Sequence, residues 1–204
     1  MKQFDLRLYL VTDESCLPRG RDLFSAVEEA LQAGVTLVQY REKNGLGKCM
    51  LEKARKLIAL CHKYNVPLLV NDRLDIALLS GADGVHLGQD DIPVAEARKL
   101  AGQYFLIGAT AHNVQEALAA EAAGADYLGC GAVFATSTKK DTVPLGLDGL
   151  KAIRQAVHIP ITGIAGITTD NYQQVLATGA DGIAVVSAIL GAENITGTVN
   201  KFLQ

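Results

Sequence analysis

The stretch Val114-Gln115-Glu116-Ala117-Leu118-Ala119-Ala120-Glu121-Ala122-Ala123-Gly124-Ala125-Asp126-Tyr127-Leu128-Gly129-Cys130-Gly131 decides the fold. It reads as a helix over 114–123, a tight turn, and a short buried strand over 126–131. Gly124 stands where a helix C-cap needs a left-handed residue. The same turn recurs as Ala33-Gly34-Val35-Thr36, Ser80-Gly81-Ala82-Asp83 and Thr178-Gly179-Ala180-Asp181, each closing a helix and opening a strand. The copies lie roughly two strand–helix units apart. They are αβ turns, on the stability face of a barrel, so they speak for fold and not for function.

Working outward, the alternation covers the chain. Strands are expected over 6–12, 36–41, 68–70, 84–87, 105–109, 126–131, 161–164 and 182–186. Helices are expected over 22–33, 48–64, 72–79, 94–101, 114–123, 147–156 and 169–178, with a last one from about residue 188. In the first helix, residues 23, 24, 27, 30 and 31 give the helical spacing, and Asp22 is its N-cap. Strict strand–helix alternation forces a parallel sheet. Several strands are apolar runs without clean alternation, as when both faces are buried. Eight such units with no long insertion favour a closed (β/α)8 TIM barrel over an open sheet. A single domain over 1–204 is expected.

The 204 residues suffice for one sizeable core. Net charge is -3 with no block of like charges, which argues against nucleic acid as a partner. No apolar run approaches the roughly 18 residues of a membrane span. The opening residues are charged and lack the apolar core of a signal peptide. Cys16, Cys49, Cys61 and Cys130 form no Cys-x-x-Cys pair and read as free thiols of a reducing cytosol. His62, His86, His112 and His158 are scattered, which disfavours a His/Cys metal site.

In a barrel of this type, chemistry sits where strands end. Those positions offer three chemistries. Gln39, Arg41 and Lys43 alternate on one strand and share a face. With Lys139 they would form a cationic cluster for a polyanion, most plausibly a diphosphate; the other reading is surface pairing with Glu42 and its neighbours. Asp72 and Asp91 end consecutive strands and suit Mg2+, or they merely cap helices. Gly166 and Ser187 end strands seven and eight, where barrels often hold phosphate, although a plain turn reads the same way. The loop Phe134-Ala135-Thr136-Ser137-Thr138-Lys139-Lys140-Asp141 gathers hydroxyls and ammonium groups after a buried strand. It suits phosphate oxygens, and equally a solvated surface. No serine–histidine–acid order stands out. His112 and His86 are candidate acid/base groups, His86 alternatively a satisfied strand-end histidine.

Five motifs in order resemble the thiamine-phosphate synthase family: Tyr9-Leu10-Val11-Thr12-Asp13, Gln39-Tyr40-Arg41-Glu42-Lys43, Val70-Asn71-Asp72-Arg73, Gly84-Val85-His86-Leu87-Gly88-Gln89-Asp90-Asp91 and Thr136-Ser137-Thr138-Lys139-Lys140-Asp141. The likeness runs over about residues 6–190. It implies a cytoplasmic Mg2+-dependent transferase that joins a hydroxymethylpyrimidine diphosphate to a thiazole phosphate. Both substrates are small molecules; neither nucleic acid nor membrane is a partner. It further implies pyrimidine-diphosphate contacts at Gln39, Arg41, Lys43, Asn71, Thr110 and Lys139, and substrate binding by Tyr40 and Glu42 of the same motif. Metal ligands fall on Asp72 and Asp91. Thiazole-phosphate contacts fall on Thr136, Thr138, Gly166, Val186 and Ser187, with Ser137 between them. Arg41, Lys43 and Lys139 would stabilise the leaving diphosphate. Three positions depart from the family pattern: Thr110 replaces Ser, Ala132 a common Pro, and Ala165 the first Gly of a pair. Ala132 is expected to loosen the loop. Two alternatives are a metal-free thiazole tautomerase of the sister branch, with His112 as acid/base, and a silent barrel that binds a phosphorylated ligand.

Overall fold

A computed structural model of the chain describes residues 4–136 and 143–204. Eight parallel strands close into a barrel in sequential order, β1 to β8. The strands are β1 Leu8–Val11, β2 Leu37–Tyr40, β3 Leu68–Asn71, β4 Gly84–Leu87, β5 Leu106–Ala111, β6 Tyr127–Cys130, β7 Ile161–Ile164 and β8 Gly182–Val185. Helices α1 Leu23–Ala33, α2 Gly47–Lys63, α3 Leu74–Ser80, α4 Val94–Ala101, α5 Val114–Ala122, α6 Gly146–Ala156 and α7 Tyr172–Leu176 follow the first seven strands. Two helices, α8 Ser187–Leu190 and α9 Ile195–Phe202, follow β8. The expected TIM barrel is the observed fold.

Side chains that point out of the strands pack under the helices. Leu8, Leu10, Val38, Tyr40, Leu68 and Val70 belong to this outer core. Alternate residues point inward and form a second, smaller core around Tyr9, Leu37, Leu69, Leu106 and Tyr127. A Cβ at Gly108 would sit 2.2 Å from Tyr127 Cζ, so glycine there makes room for the Tyr127 ring.

The repeated turns act as latches at the barrel's lower rim. Gly34, Gly81, Gly124 and Gly179 all have left-handed backbone, with φ of 115, 77, 94 and 90°. The residue two places on ties its strand to the one before. Asp83 Oδ2 accepts the Leu68 N–H at 2.9 Å, Asp126 Oδ2 that of Ile107 at 2.7 Å, and Asp181 Oδ2 that of Ile161 at 2.8 Å. Each carboxylate also meets a base from an even-numbered helix: His62, Arg98 or Arg154. In the first copy the Thr36 hydroxyl accepts the Leu8 N–H at 3.1 Å.

Three boundaries differ from expectation for local reasons. The third helix starts at Leu74, because Asp72 has left-handed backbone with φ 62°. Helix α7 is shorter than expected. The Asn171 side chain holds the Thr168 N–H in a turn ahead of it, and the Thr178 hydroxyl donates to Val175 O behind it. The last helix is two helices, and Asn194 caps the second by accepting the Gly197 N–H at 2.7 Å.

The latches make a stability prediction. Asp126→Ala leaves the Ile107 N–H without its acceptor and takes from the Arg98 guanidinium its carboxylate partner, though not its carbonyl acceptors, and should lower unfolding free energy by about 1–3 kcal/mol. Chemical denaturation measures this; an unchanged midpoint would show that the latch contributes nothing.

Candidate active site

The upper rim of the barrel opens into a cavity of about 460 Å³. Among the residues singled out from the sequence, Gln39, Arg41, Lys43, Asn71, Asp72, Asp91, Thr110, Thr136, Gly166, Val186 and Ser187 all line it. Tyr40 and Glu42 do not. Strand β2 alternates, so Gln39 turns inward while Tyr40 is buried under the helices. The Glu42 carboxylate accepts the Asn44 N–H in its own loop. Ser137, Thr138 and Lys139 lie outside the described residues.

The cations are held by carboxylates. Thr12 Oγ1 accepts the Arg41 N–H at 3.0 Å and so fixes the end of β2. Arg41 Nη1 then donates to Asp13 Oδ2 at 2.5 Å. Lys43 Nζ donates to Asp72 Oδ2, also at 2.5 Å. Asp13 is a site residue that motif reading quoted without assigning a role.

Neither metal-candidate carboxylate caps a helix. Residue Arg73 precedes α3 and Pro93 precedes α4, and neither makes a side-chain cap. Asp91 Oδ2 accepts the Gly88 N–H at 2.7 Å. Burial, and then the Asp72 carboxylate beside it, push the Asp91 carboxyl above the usual carboxylate range, against the Gly88 N–H and Lys43. Two like charges facing one another at a cavity rim are an arrangement that a cation relieves.

Below the rim, buried polar groups line the wall. Asn71 is 9% exposed, and its Nδ2 has no hydrogen-bond partner among the described residues. A buried donor of this kind calls for an acceptor from a ligand or an ordered water. His86 meets Tyr127 Oη at 2.9 Å through Nδ1 and Thr110 Oγ1 at 3.0 Å through Nε2. It is thus a satisfied histidine that also lines the cavity. His112 pairs through Nδ1 with Glu116 Oε2 at 2.9 Å. Sequence reading passed over Tyr9 and Tyr127. The available signal was the run of strand glycines, Gly108 and Gly129, which leave space for an aromatic neighbour.

Opposite the cations, backbone builds the wall. Phe134 N–H donates to Ala165 O, and Val133 N–H to Ile164 O, so residues 133–134 run along the end of β7. A Cβ at Gly166 would lie 2.4 Å from Ala135 O, so only glycine fits beneath this segment. Asn171 Nδ2 donates to Gly166 O at 2.9 Å. Ala132 was expected to loosen the loop. Its N–H donates to Val143 O and its carbonyl accepts from Leu145 and Gly146, while residues 137–142 of that loop lie outside the described residues. The Gly131–Ala132 peptide is cis.

A family profile described as thiamine monophosphate synthase matches residues 8–189. The thiamine-phosphate synthase of Chloroflexus aurantiacus is 53% identical over 198 residues, 97% of this chain and 91% of that one. That of Clostridium novyi is 54% identical over 192 residues, 94% of each chain. The solved structure of thiamine phosphate pyrophosphorylase from Pyrococcus furiosus superposes with a TM-score of 0.89 at 42% identity, covering 97% of this chain and 94% of that one.

The raised Asp91 carboxyl has a consequence for stability. The folded chain holds this proton to higher pH than the unfolded chain does. Ionisation therefore costs stability as pH rises from the ordinary carboxylate range through the raised value, and the full cost applies above it. Asp91→Asn should accordingly stabilise the metal-free protein at neutral pH, by up to about 1 kcal/mol for partly exposed charges. The gain should fade in acid. Thermal melts with a chelator present, at both pH values, test this; a lower midpoint for the variant at neutral pH would contradict the like-charge repulsion.

Proposed function

The chain belongs to the thiamine monophosphate synthase family and is a transferase that makes thiamine phosphate, and from that premise we propose how its own residues carry the reaction. The substrates are a hydroxymethylpyrimidine diphosphate and a thiazole phosphate. The bond from the pyrimidine methylene to the diphosphate oxygen breaks, and both electrons leave with diphosphate. The thiazole nitrogen then supplies the pair for the new C–N bond. The cation left between these events is stabilised by the amino group of the ring, so neither a strong base nor a protein nucleophile is required.

The observation that carries this reading is one wall on which Arg41, Lys43, Asp72 and Asp91 meet above the unpartnered Asn71 Nδ2. Arg41 and Lys43 take the developing negative charge of the leaving group. Asp13 keeps the Arg41 guanidinium pointed at the rim. Asn71 Nδ2 donates to the bound pyrimidine diphosphate. Thr136, Gly166, Val186 and Ser187 hold the thiazole phosphate and so keep its nitrogen in line with the methylene. The roles of Ser137, Thr138 and Lys139 in phosphate and diphosphate binding rest on the sequence alone.

Asp72 and Asp91 suit Mg2+. Both are hard oxygen donors, and among the described residues no group of three His, Cys, Asp or Glu side chains gathers into a closed cage. That donor set matches a metal that keeps several waters and shares substrate phosphates. Bound there, Mg2+ supplies positive charge to the leaving diphosphate. We place the reaction in the cytosol, a setting that the free thiols Cys16, Cys49, Cys61 and Cys130 support.

Purified protein given both substrates and Mg2+ should release diphosphate and form thiamine phosphate. Inactivity with authentic substrates would overturn the reading. Arg41→Ala and Asp72→Ala should each lower kcat/KM by at least about tenfold through lost leaving-group stabilisation. Near-native rates in both variants would remove those two residues from the mechanism.

A further inference from the structure

The cavity floor holds a hydrogen-bond chain that the reaction above leaves unused. Gln39 Nε2 donates to Tyr9 Oη at 2.5 Å. Tyr9 Oη lies 2.8 Å from Tyr127 Oη. Tyr127 Oη reaches His86 Nδ1 at 2.9 Å, and His86 Nε2 reaches Thr110 Oγ1 at 3.0 Å. Tyr9 is 1% exposed and Tyr127 fully buried. Burial holds both phenols protonated, far above the usual phenol range.

With Gln39 Nε2 as first donor, and with an acceptor required for each buried hydroxyl, the chain takes one direction. An amide nitrogen only donates. Tyr9 Oη therefore accepts from Gln39, and its single proton goes on to Tyr127. The single Tyr127 proton goes in turn to His86 Nδ1, which must be unprotonated. The His86 ring then carries its proton on Nε2 and donates to Thr110 Oγ1. The Thr110 proton finds no acceptor among the described residues, and neither does any described donor take up Gln39 Oε1. Both residues line the cavity.

We infer that Tyr9, Tyr127 and His86 form a relay of fixed polarity that presents an acceptor, Gln39 Oε1, and a donor, the Thr110 hydroxyl, to a ligand ring from opposite walls of the barrel. The three are positioning residues and act through Gln39 and Thr110. Strands β2 and β5 stand three apart in a ring of eight, and both residues line the same cavity of about 460 Å³. The ring selected turns an amino group to Gln39 Oε1 and, to the Thr110 hydroxyl, the unprotonated ring nitrogen next to the amino-bearing carbon. An aminopyrimidine meets this. Its oxo analogue offers a carbonyl and a ring N–H, the reverse order. Accepting that order would require the Gln39 amide to turn over and every proton in the chain to move with it. Selectivity for the amino ring is thereby built into groups that do not touch the reacting atoms. The substrate half of this inference rests on the proposed function; the relay itself does not.

Two measurements test it. The first needs no substrate: 15N NMR of the His86 ring, assigned by its loss in His86→Gln, should show Nδ1 unprotonated and Nε2 protonated. A proton on Nδ1 would overturn the relay's direction. The second compares amino- and oxo-pyrimidine diphosphates as substrate and competitive inhibitor. Tyr127→Phe breaks the chain in the middle. It should shrink the preference for the amino form by about tenfold or more, with the larger change in KM or Ki than in kcat. Tyr9→Phe should act in the same direction. An unchanged preference in folded Tyr127→Phe, or an equal loss with both rings, would overturn the proposal. Wild-type protein inactive with the amino substrate would sink the assigned reaction and leave the ring tautomer to decide the relay.

Discussion

A single hydrogen bond between two phenols, Tyr9 and Tyr127, marks where the interior of this barrel passes from apolar filling to polar lining. Below it, Leu6, Leu37, Leu69 and Leu106 fill the space between strands with apolar volume. Above it, Gln39, Asn71, His86 and Thr162 are buried polar groups on a cavity wall. Tyrosine suits this boundary because its ring is apolar and its tip is not. Placing two tips together lets Tyr9 donate to Tyr127, whose own proton goes to His86, so neither hydroxyl is left unpaired. The small residues of neighbouring strands follow from the same choice. Gly108 leaves room for Tyr127, and a Cβ at Gly129 would come within 2.9 Å of His86 Cε1.

The charges above that floor are arranged in pairs before any ligand arrives. Arg41 rests on Asp13, and Lys43 on Asp72. A pair at the rim is worth little to stability, since water competes there. Its value lies in holding long side chains at one place. Asp91 has a different position: burial raises the cost of its charge, and the Asp72 carboxylate beside it adds to that cost. The site is therefore under-neutralised on the Asp72–Asp91 side and well neutralised on the Arg41 side. A dication entering with a diphosphate would correct the first without breaking the second.

The fold was legible because its signals are local. Each glycine in the αβ turns closes a helix, and each following Asp or Thr reaches back to the preceding strand, so the repeat visible in the chain is the latch seen in space. What was not legible rests on particular side-chain hydrogen bonds, which periodicity does not register. The reach of the Asn171 side chain to Thr168 shortens α7, and Asn194 restarts the helix after β8, although periodicity alone reads straight through both. The site shows the same division. The alternation of β2 separates Gln39, Arg41 and Lys43 from Tyr40 and Glu42. A motif taken whole blurs that distinction, because resemblance runs along the chain while a strand faces two ways. His86 was visible as a polar residue in an apolar strand, but its partners Tyr127 and Thr110 lie 41 and 24 residues away.

Thr110 illustrates how the pieces constrain one another. The family resemblance expects serine at this place, and the extra methyl of threonine raised a question of fit. In a strand, the branched side chain has few χ1 states open to it. Its hydroxyl meets His86 Nε2 at 3.0 Å, and its carbonyl accepts from Gln89 Nε2 at 2.6 Å, so both ends of the residue are held. A serine hydroxyl would be free to rotate away from the histidine. Threonine trades that freedom for a hydroxyl kept on the His86 line, in a cavity that Val11, Ile164 and Ala184 also line. The departure from the family pattern thus keeps the polar function of the position and stiffens it, which is what the last link of a buried chain requires.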